Sequence, residues 1–391
     1  MRPANRIFSG LGTTIFTVMS ALANEHDAIN LGQGFPDDEG PDDVRAYAAR
    51  ALIGGPNQYP PMMGLPALRQ AVADSNKRFY GLDVDWQREV LVTSGATEAL
   101  GDCLFGLLNP GDEAIILEPA YDSYKPIIEA AGAKAVSVAL TPPQWALPLD
   151  KLEAAFSSRT KLILLNTPMN PTGKVFTREE LEAIAALLIQ HDAYAVCDEV
   201  YEHLVFEPAR HIPLMTLPGM RERCLRIGSA GKTFSLTGWK VGYITGPAAL
   251  IDPIAKTHQF VTFTTPPALQ SAIAFGLSKE HAYFDGLAST LGAKRDLLAQ
   301  GLAGAGLEVL PAGGTYFLNV DIRWTGFTGS DEEFCREITR TAKVAAIPLS
   351  AFYEPGAAHA PRHLARFCFC KSDETLNEAC ARLRAFRQSL E

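Results

Sequence analysis

No stretch of this chain approaches the roughly 20 apolar residues that a helix needs to cross a bilayer, and residues 1–11 lack the apolar run of a secretory leader. Positive charge is in deficit. Lys and Arg number 35 against 44 Asp and Glu, a formal net charge of −9. A balance of that sign draws the chain neither to a phosphate backbone nor to an anionic membrane, so neither nucleic acid nor membrane is expected as a partner. Cysteine is scarce and uneven: there are 7, an odd number, most of them inside apolar segments, as at Cys103 and Cys197. Cys368 and Cys370, one residue apart in a strand-like run, point the same way without forming a zinc knuckle. All seven are read as reduced packing residues, as in a cytoplasmic protein. Metal-ligand spacing is missing as well, because the adjacency of Glu202 and His203 beside Glu199 is not a ligand interval on a helix, and no metal is expected. There is no internal repeat and no low-complexity linker.

What remains is an ordinary soluble composition, 47% hydrophobic and 20% charged, over 391 residues, more than one core usually holds. Apolar runs and amphipathic stretches alternate from residue 89. The spacing predicts strands at 89–93, 113–117, 161–166, 193–198, 225–228 and 241–245, with helices at 97–108, 124–131 and 178–190. Fully apolar strands between helices mean a mostly parallel sheet covered on both faces. The fold class is therefore α/β, with a large domain over residues 40–285. A smaller α+β domain is expected from 1–39 together with 286–391, with a helix at 288–302 and strands near 308–311, 316–320 and 365–369.

Ligands in an open parallel sheet sit beyond the carboxyl ends of its strands, and the unusual residues collect there. In Thr93-Ser94-Gly95-Ala96-Thr97-Glu98 a strand runs into a helix, whose N–H groups and positive end suit an anion; a plain capped turn is the alternative. Asn166-Thr167-Pro168-Met169-Asn170-Pro171-Thr172-Gly173 is a rigid loop that either presents the Asn170 amide or merely turns the chain. Asp198, at the end of an apolar strand, needs a partner: a protonated ring nitrogen, or an internal Arg or Lys. Lys232 follows another apolar strand among small residues, where burial and a neighbouring cation, for which Lys240 is the candidate, would lower its pKa toward a usable amine. Arg366 enters an apolar strand and calls for an anion, either a ligand carboxylate held in its fork or an internal one.

Taken in order, Gly95-Ala96-Thr97, Asn170-Pro171-Thr172-Gly173, Asp198-Glu199-Val200-Tyr201 and Ser229-Ala230-Gly231-Lys232-Thr233-Phe234 resemble the fold-type I aminotransferases of class I/II over nearly the whole chain. Asn30-Leu31-Gly32-Gln33-Gly34-Phe35-Pro36-Asp37 and Thr237-Gly238-Trp239-Lys240-Val241-Gly242 resemble the kynurenine, glutamine and methionine aminotransferase branch. The resemblance implies pyridoxal 5′-phosphate as cofactor, with Lys232 forming the Schiff base and Asp198 pairing with the ring nitrogen. It implies Asn170 and Tyr201 on the ring hydroxyl, Tyr121 stacked on the ring, and Gly95, Ala96, Thr97, Ser229 and Lys240 around the phosphate. Tyr59 matches a residue that reaches the phosphate from a second subunit, so a homodimer with shared sites is implied. Arg366, Asn170 and the Gly34 backbone would bind the substrate α-carboxylate, and Phe16 would line the side-chain pocket. Lys240 stands where many relatives have arginine, a change typical of the branch. Thr97 stands where kynurenine-type relatives often have tyrosine, which argues against a strict aromatic preference.

The implied reaction moves the α-amino group of methionine, glutamine or an aromatic or kynurenine-like amino acid to a 2-oxo acid by a ping-pong mechanism, with Lys232, Asp198 and Tyr201 as the catalytic residues. N-Succinyl-diaminopimelate is an alternative donor. A cysteine-S-conjugate β-lyase starts from the same carbanion on the same scaffold. An acyl-transferase fits the Asn170 loop and Arg366 less well, and a DNA-binding regulator would need a further domain.

Overall fold

The structure is a computed structural model that describes residue 2 and residues 4–390. Its strands, in chain order, are β1 (Ile29–Asn30), β2 (Val90–Thr93), β3 (Glu113–Glu118), β4 (Lys134–Ala139), β5 (Thr160–Asn166), β6 (Tyr194–Asp198), β7 (Cys224–Ser229), β8 (Gly242–Thr245), β9 (Glu308–Val309), β10 (Phe317–Asp321), β11 (Val344–Ala345), β12 (Ile347–Pro348) and β13 (Leu364–Cys368). Seven of them form the large sheet in the order β2-β8-β7-β6-β5-β3-β4. All pairings there are parallel except those of β8, which runs against both β2 and β7. The expected mostly parallel sheet flanked by helices is present. Strands β2, β3 and β7 are buried at every position, as strands covered on both faces must be.

The edge strand β4 was absent from the sequence reading. Only Val138 of its six residues is buried, so Lys134-Ala-Val-Ser-Val-Ala carries no continuous apolar signal. The helix Arg178–Gln190 falls where its period predicts, because Thr177 and Glu180 close a capping box at its start. The first 39 residues, for which the spacing predicts no helix, contain the helix Ile15–Glu25, capped by Thr14 and packed through Met19, Leu22 and Ala23. The helix expected at 288–302 runs from His281 to Gly304.

The smaller sheet is antiparallel, in the order β12-β13-β10-β9. Beside it β1 pairs in parallel with β11, joining an N-terminal strand to a C-terminal one. Two apolar clusters position the site. The larger lies around the main sheet and continues into the small one. The second gathers Val44, Leu68, Val72 and Ile273 around Phe234, two residues after Lys232. Burying a ring of that size stabilises by about 2–3 kcal/mol, and here it pins the turn that carries the lysine.

Candidate active site

The strand ends converge on one cavity of about 500 Å³, large enough for a cofactor with a small substrate. Register explains the convergence: Asn166 lies beside Asp198, Asp198 beside Ile227, and Gly242 beside both Ser229 and Thr93. Phe16, Gly34, Gly95, Ala96, Thr97, Tyr121, Asn170, Asp198, Tyr201, Ser229, Lys232, Lys240 and Arg366 all line the cavity. Tyr59 does not. It stands 83% exposed at the surface, edge-on to Phe263.

One end of the cavity is built for an anion. The helix Gly95–Leu107 begins there, two residues earlier than its period suggests, with Gly95 at φ 78°. A Cβ on Gly95 would come within 3.0 Å of the Lys240 Nζ, and one on Gly242 within 2.6 Å of the Gly95 carbonyl carbon. Small residues are therefore required for the ammonium and the helix end to face one space. A helix N-terminus leaves its first N–H groups open and carries positive potential. Behind it, the Ser94 N–H donates to the Glu98 carboxylate, which also holds His258 Nδ1 at 2.7 Å.

The opposite wall holds Asp198. Its Oδ2 accepts from the Tyr124 hydroxyl at 2.6 Å, whereas its Oδ1 is buried with no partner. Burial raises the carboxyl to about 6, against the pull of Tyr124. Among the described residues no arginine or lysine forms an ion pair with it. Glu199, the next residue, is the one so paired, binding Arg226 Nε at 2.7 Å and His211 Nε2 at 2.9 Å. Asn166 fixes the neighbourhood, donating from Nδ2 to the Asp198 carbonyl at 2.8 Å and accepting the Asn170 N–H at 2.8 Å. Tyr124 was missed in the sequence, although it sits one helical turn beyond Tyr121 in the same motif.

Lys232 is half-buried, its Nζ 5.7 and 5.4 Å from the ring centroids of Tyr201 and Tyr316. Desolvation lowers its pKa, and the cation that assists is Arg366, across the cavity. The assignment of that part to Lys240 was wrong: Lys240 is turned to Gly95 and the anion end. The Lys232 Nζ donates to the Tyr316 hydroxyl at 2.7 Å, a partner the sequence did not suggest.

Arg366 closes the last side. One guanidinium nitrogen donates to Asn170 Oδ1 and the other to the Gly32 carbonyl, both at 2.7 Å, while Nε has no partner. Its plane lies 3.9 Å from the Phe317 ring centroid. Burial lowers its pKa to about 10. Its hydrogen bonds go to neutral groups rather than to an internal carboxylate, so its charge remains available to an anion in the cavity. All seven cysteines are free and buried, with Cys368 Sγ and Cys370 Sγ 3.1 Å apart.

An anion cradle, an open buried carboxylate oxygen, a desolvated amine and an uncompensated guanidinium fit a phosphorylated aromatic aldehyde together with an amino acid. The family model of aminotransferase class I and II matches residues 26–383. Methionine aminotransferase of Escherichia coli K12 is 43% identical over 374 residues, 96% of each chain. Human kynurenine–oxoglutarate transaminase 1 is 38% identical over 401 residues, 94% of each. The solved N-succinyldiaminopimelate aminotransferase of Mycobacterium tuberculosis superposes with a TM-score of 0.95 at 44% identity, covering 98% of this chain and 100% of that one. The sequence motifs, the sheet and the shared cavity thus converge on one statement: this chain belongs to the pyridoxal-phosphate-dependent aminotransferases of class I and II.

Proposed function

We propose that this aminotransferase takes the amino group of an α-amino acid with a neutral, apolar or aromatic side chain, methionine foremost, and passes it to a 2-oxo acid in a ping-pong cycle. The observation that carries the substrate class is the charge of the cavity wall. Lys232, Lys240 and Arg366 are the cations among the described lining residues. With the first given to the cofactor aldehyde and the second to its phosphate, Arg366 alone is left, enough for one α-carboxylate. The remaining walls include Phe16, Leu100, Tyr121 and Phe317, which favour a side chain without charge.

Bound pyridoxal phosphate supplies an aldehyde that links to amines and a protonated ring that draws electrons from the substrate α-carbon. The protein supplies the rest. Asp198 Oδ1 offers the acceptor that keeps the ring nitrogen protonated. Asn170, its Oδ1 already taken by Arg366, keeps its amide N–H groups for the ring hydroxyl oxygen and the substrate carboxylate, and Tyr201 adds a second hydroxyl. Lys232, whose pKa desolvation lowers, would take the α-proton at Nζ as base and give it up again as acid.

Tyr59, Phe260 and Val261 are 83%, 83% and 67% exposed, and Phe263 beside them 38%. An aromatic patch of this kind supports burial against a second copy, with Tyr59 completing the neighbour's anion end. Seven free, buried thiols support a reducing compartment such as the cytoplasm. A second donor, N-succinyl-diaminopimelate, is favoured by the 44% identity to the mycobacterial enzyme of that name, but its two distal carboxylates find no further cation among the described lining residues.

The test is the visible absorption of the loaded protein during addition of single amino acids with no keto acid. We expect the cofactor band to vanish once with methionine, without ammonia, and to return with a 2-oxo acid. A band that persists while ammonia and a keto acid accumulate would make the protein a lyase, and a response to the succinylated donor alone would overturn the neutral-side-chain reading.

A further inference from the structure

Tyr316 has no part in the motifs that identify the family, yet its hydroxyl joins three separate pieces of the chain. It donates to the Gly34 carbonyl of the N-terminal segment at 2.6 Å. It accepts from Lys232 Nζ of the large sheet at 2.7 Å. Tyr316 itself leads into β10 of the small sheet. The phenol hydrogen goes to the Gly34 carbonyl, which can only accept, and with that hydrogen committed the phenol oxygen accepts an N–H from the lysine. The Gly34 carbonyl oxygen also lies 3.4 Å from Nζ and offers the same nitrogen a second acceptor. Neither acceptor is charged, so neither forms an ion pair with the lysine. The phenol is locked in place: Tyr316 is 1% exposed, and its ring meets Tyr201 edge-on at 5.2 Å and Phe317 at 4.8 Å. A Cβ on Gly34 would come within 3.1 Å of the Tyr316 ring and 2.6 Å of the Phe317 ring, so the backbone carbonyl approaches only because that residue is glycine. Burial keeps the phenol protonated by pushing its pKa well up.

We propose that Tyr316 is a positioning residue for Lys232: anchored on the Gly34 carbonyl, its hydroxyl takes one N–H of the freed lysine amine and so turns that nitrogen's lone pair to the cavity, where the substrate α-proton is removed. Tyr316 keeps its own proton throughout. The proton that moves leaves the α-carbon for Nζ and departs from Nζ again, while the N–H···O–H···O=C chain stays intact. The proposal rests on Lys232 as the cofactor-binding lysine.

The experiment compares wild-type and Tyr316→Phe holoenzyme in single turnovers with L-methionine and L-phenylalanine, each protiated and 2-deuterated. Losing one well-aligned hydrogen bond predicts a rate about tenfold lower, an unchanged half-saturating concentration and a larger deuterium effect, because proton transfer becomes slower than the steps around it. Without substrate, the pH midpoint at which the cofactor band changes should fall, since an N–H loses its acceptor. A Tyr316→Leu variant removes ring and hydroxyl together, and should match Y316F. A deuterium effect and a band midpoint equal to wild type in Y316F overturn the proposal, as does a defect confined to Y316L, which is packing. A cofactor band absent from both wild type and Y316F would overturn the Lys232 assignment instead.

Discussion

Asp198 and Glu199 are neighbours at one strand end, both carboxylates and both buried, yet the fold treats them in opposite ways. Glu199 sits among Arg226 and His211, and its pKa is lowered although burial works against it. Asp198 has one tyrosine hydroxyl, an open oxygen and a pKa raised to about 6. A buried charge left uncompensated is costly, so the fold keeps one only where something else will complete it. The same contrast separates two of the buried arginines, Arg226 and Arg366. Arg226 is saturated by Glu199, Glu202 and Asn76, whereas Arg366 binds neutral groups and keeps Nε open. Opposite charges inside the chain mark Glu199 and Arg226 as scaffold, and their absence leaves Asp198 and Arg366 facing the cavity.

Substitutions can break this contrast. The largest effect is expected from Asp198→Asn, which removes the carboxylate proposed to face the ring nitrogen: kcat/KM for any donor should fall about 10³-fold, the order seen when a preorganised electrostatic partner is lost. Arg226→Met should do the reverse. It strands Glu199 and Glu202 without their cation, a loss of about 3–5 kcal/mol in stability, read as a lower midpoint in denaturant. The fraction that remains folded should keep near-normal turnover, and a purely catalytic loss would blur the line between scaffold and site. Tyr124→Phe is milder. One hydrogen bond to Asp198 disappears, the carboxyl is freed to rise further, and activity should fall about tenfold, most at the acid end of the pH profile.

The smallest effect concerns cofactor-free protein. With the folded carboxyl of Asp198 near 6 and the unfolded one near its ordinary value of about 3.9, the folded chain binds the extra proton. Stability contributed by this group therefore falls as pH rises between those values and is level above them. Asp198→Asn should remove that part of the decline, so variant and wild type should coincide near pH 4 and separate by pH 7. Glu199, with its lowered pKa, acts in the opposite sense, gaining stability above the carboxylate range and losing it on acidification. Thermal melts at stepped pH distinguish the two, and a wild type already more stable than Asp198→Asn at pH 7 would contradict the comparison.

Much of this arrangement is legible in the sequence because the chemistry sits where strands end. Asp198 and Lys232 each follow an apolar run, and the helix start at Gly95 follows another, so pattern alone takes them to one rim of the sheet. What sequence could not supply is pairing across distance. Tyr124 meets Asp198 over 74 positions and Tyr316 meets Lys232 over 84, and no local period encodes either. The charge assigned to help Lys232 was misplaced for the same reason: Lys240 is near in the chain, Arg366 is near in space. The edge strand β4 was lost because one exposed side leaves it without an apolar run. The helix at Ile15–Glu25 was passed over although Thr14 caps it.

The reversal of β8 has a further meaning for the chain's history of change. Because β7 runs into the rim and β8 runs out of it, with Ser229 beside Gly242, the connection between them starts and finishes at the ligand. Lys232 and Lys240 are therefore the two posts of a single short span, one at the reactive end of the cavity and one at its anion end. Insertions, which most surface loops of an α/β protein absorb without harm, would here alter both anchorages at once. The span works as a gauge block: a change in its length would shift the lysine end of the cavity against the anion end.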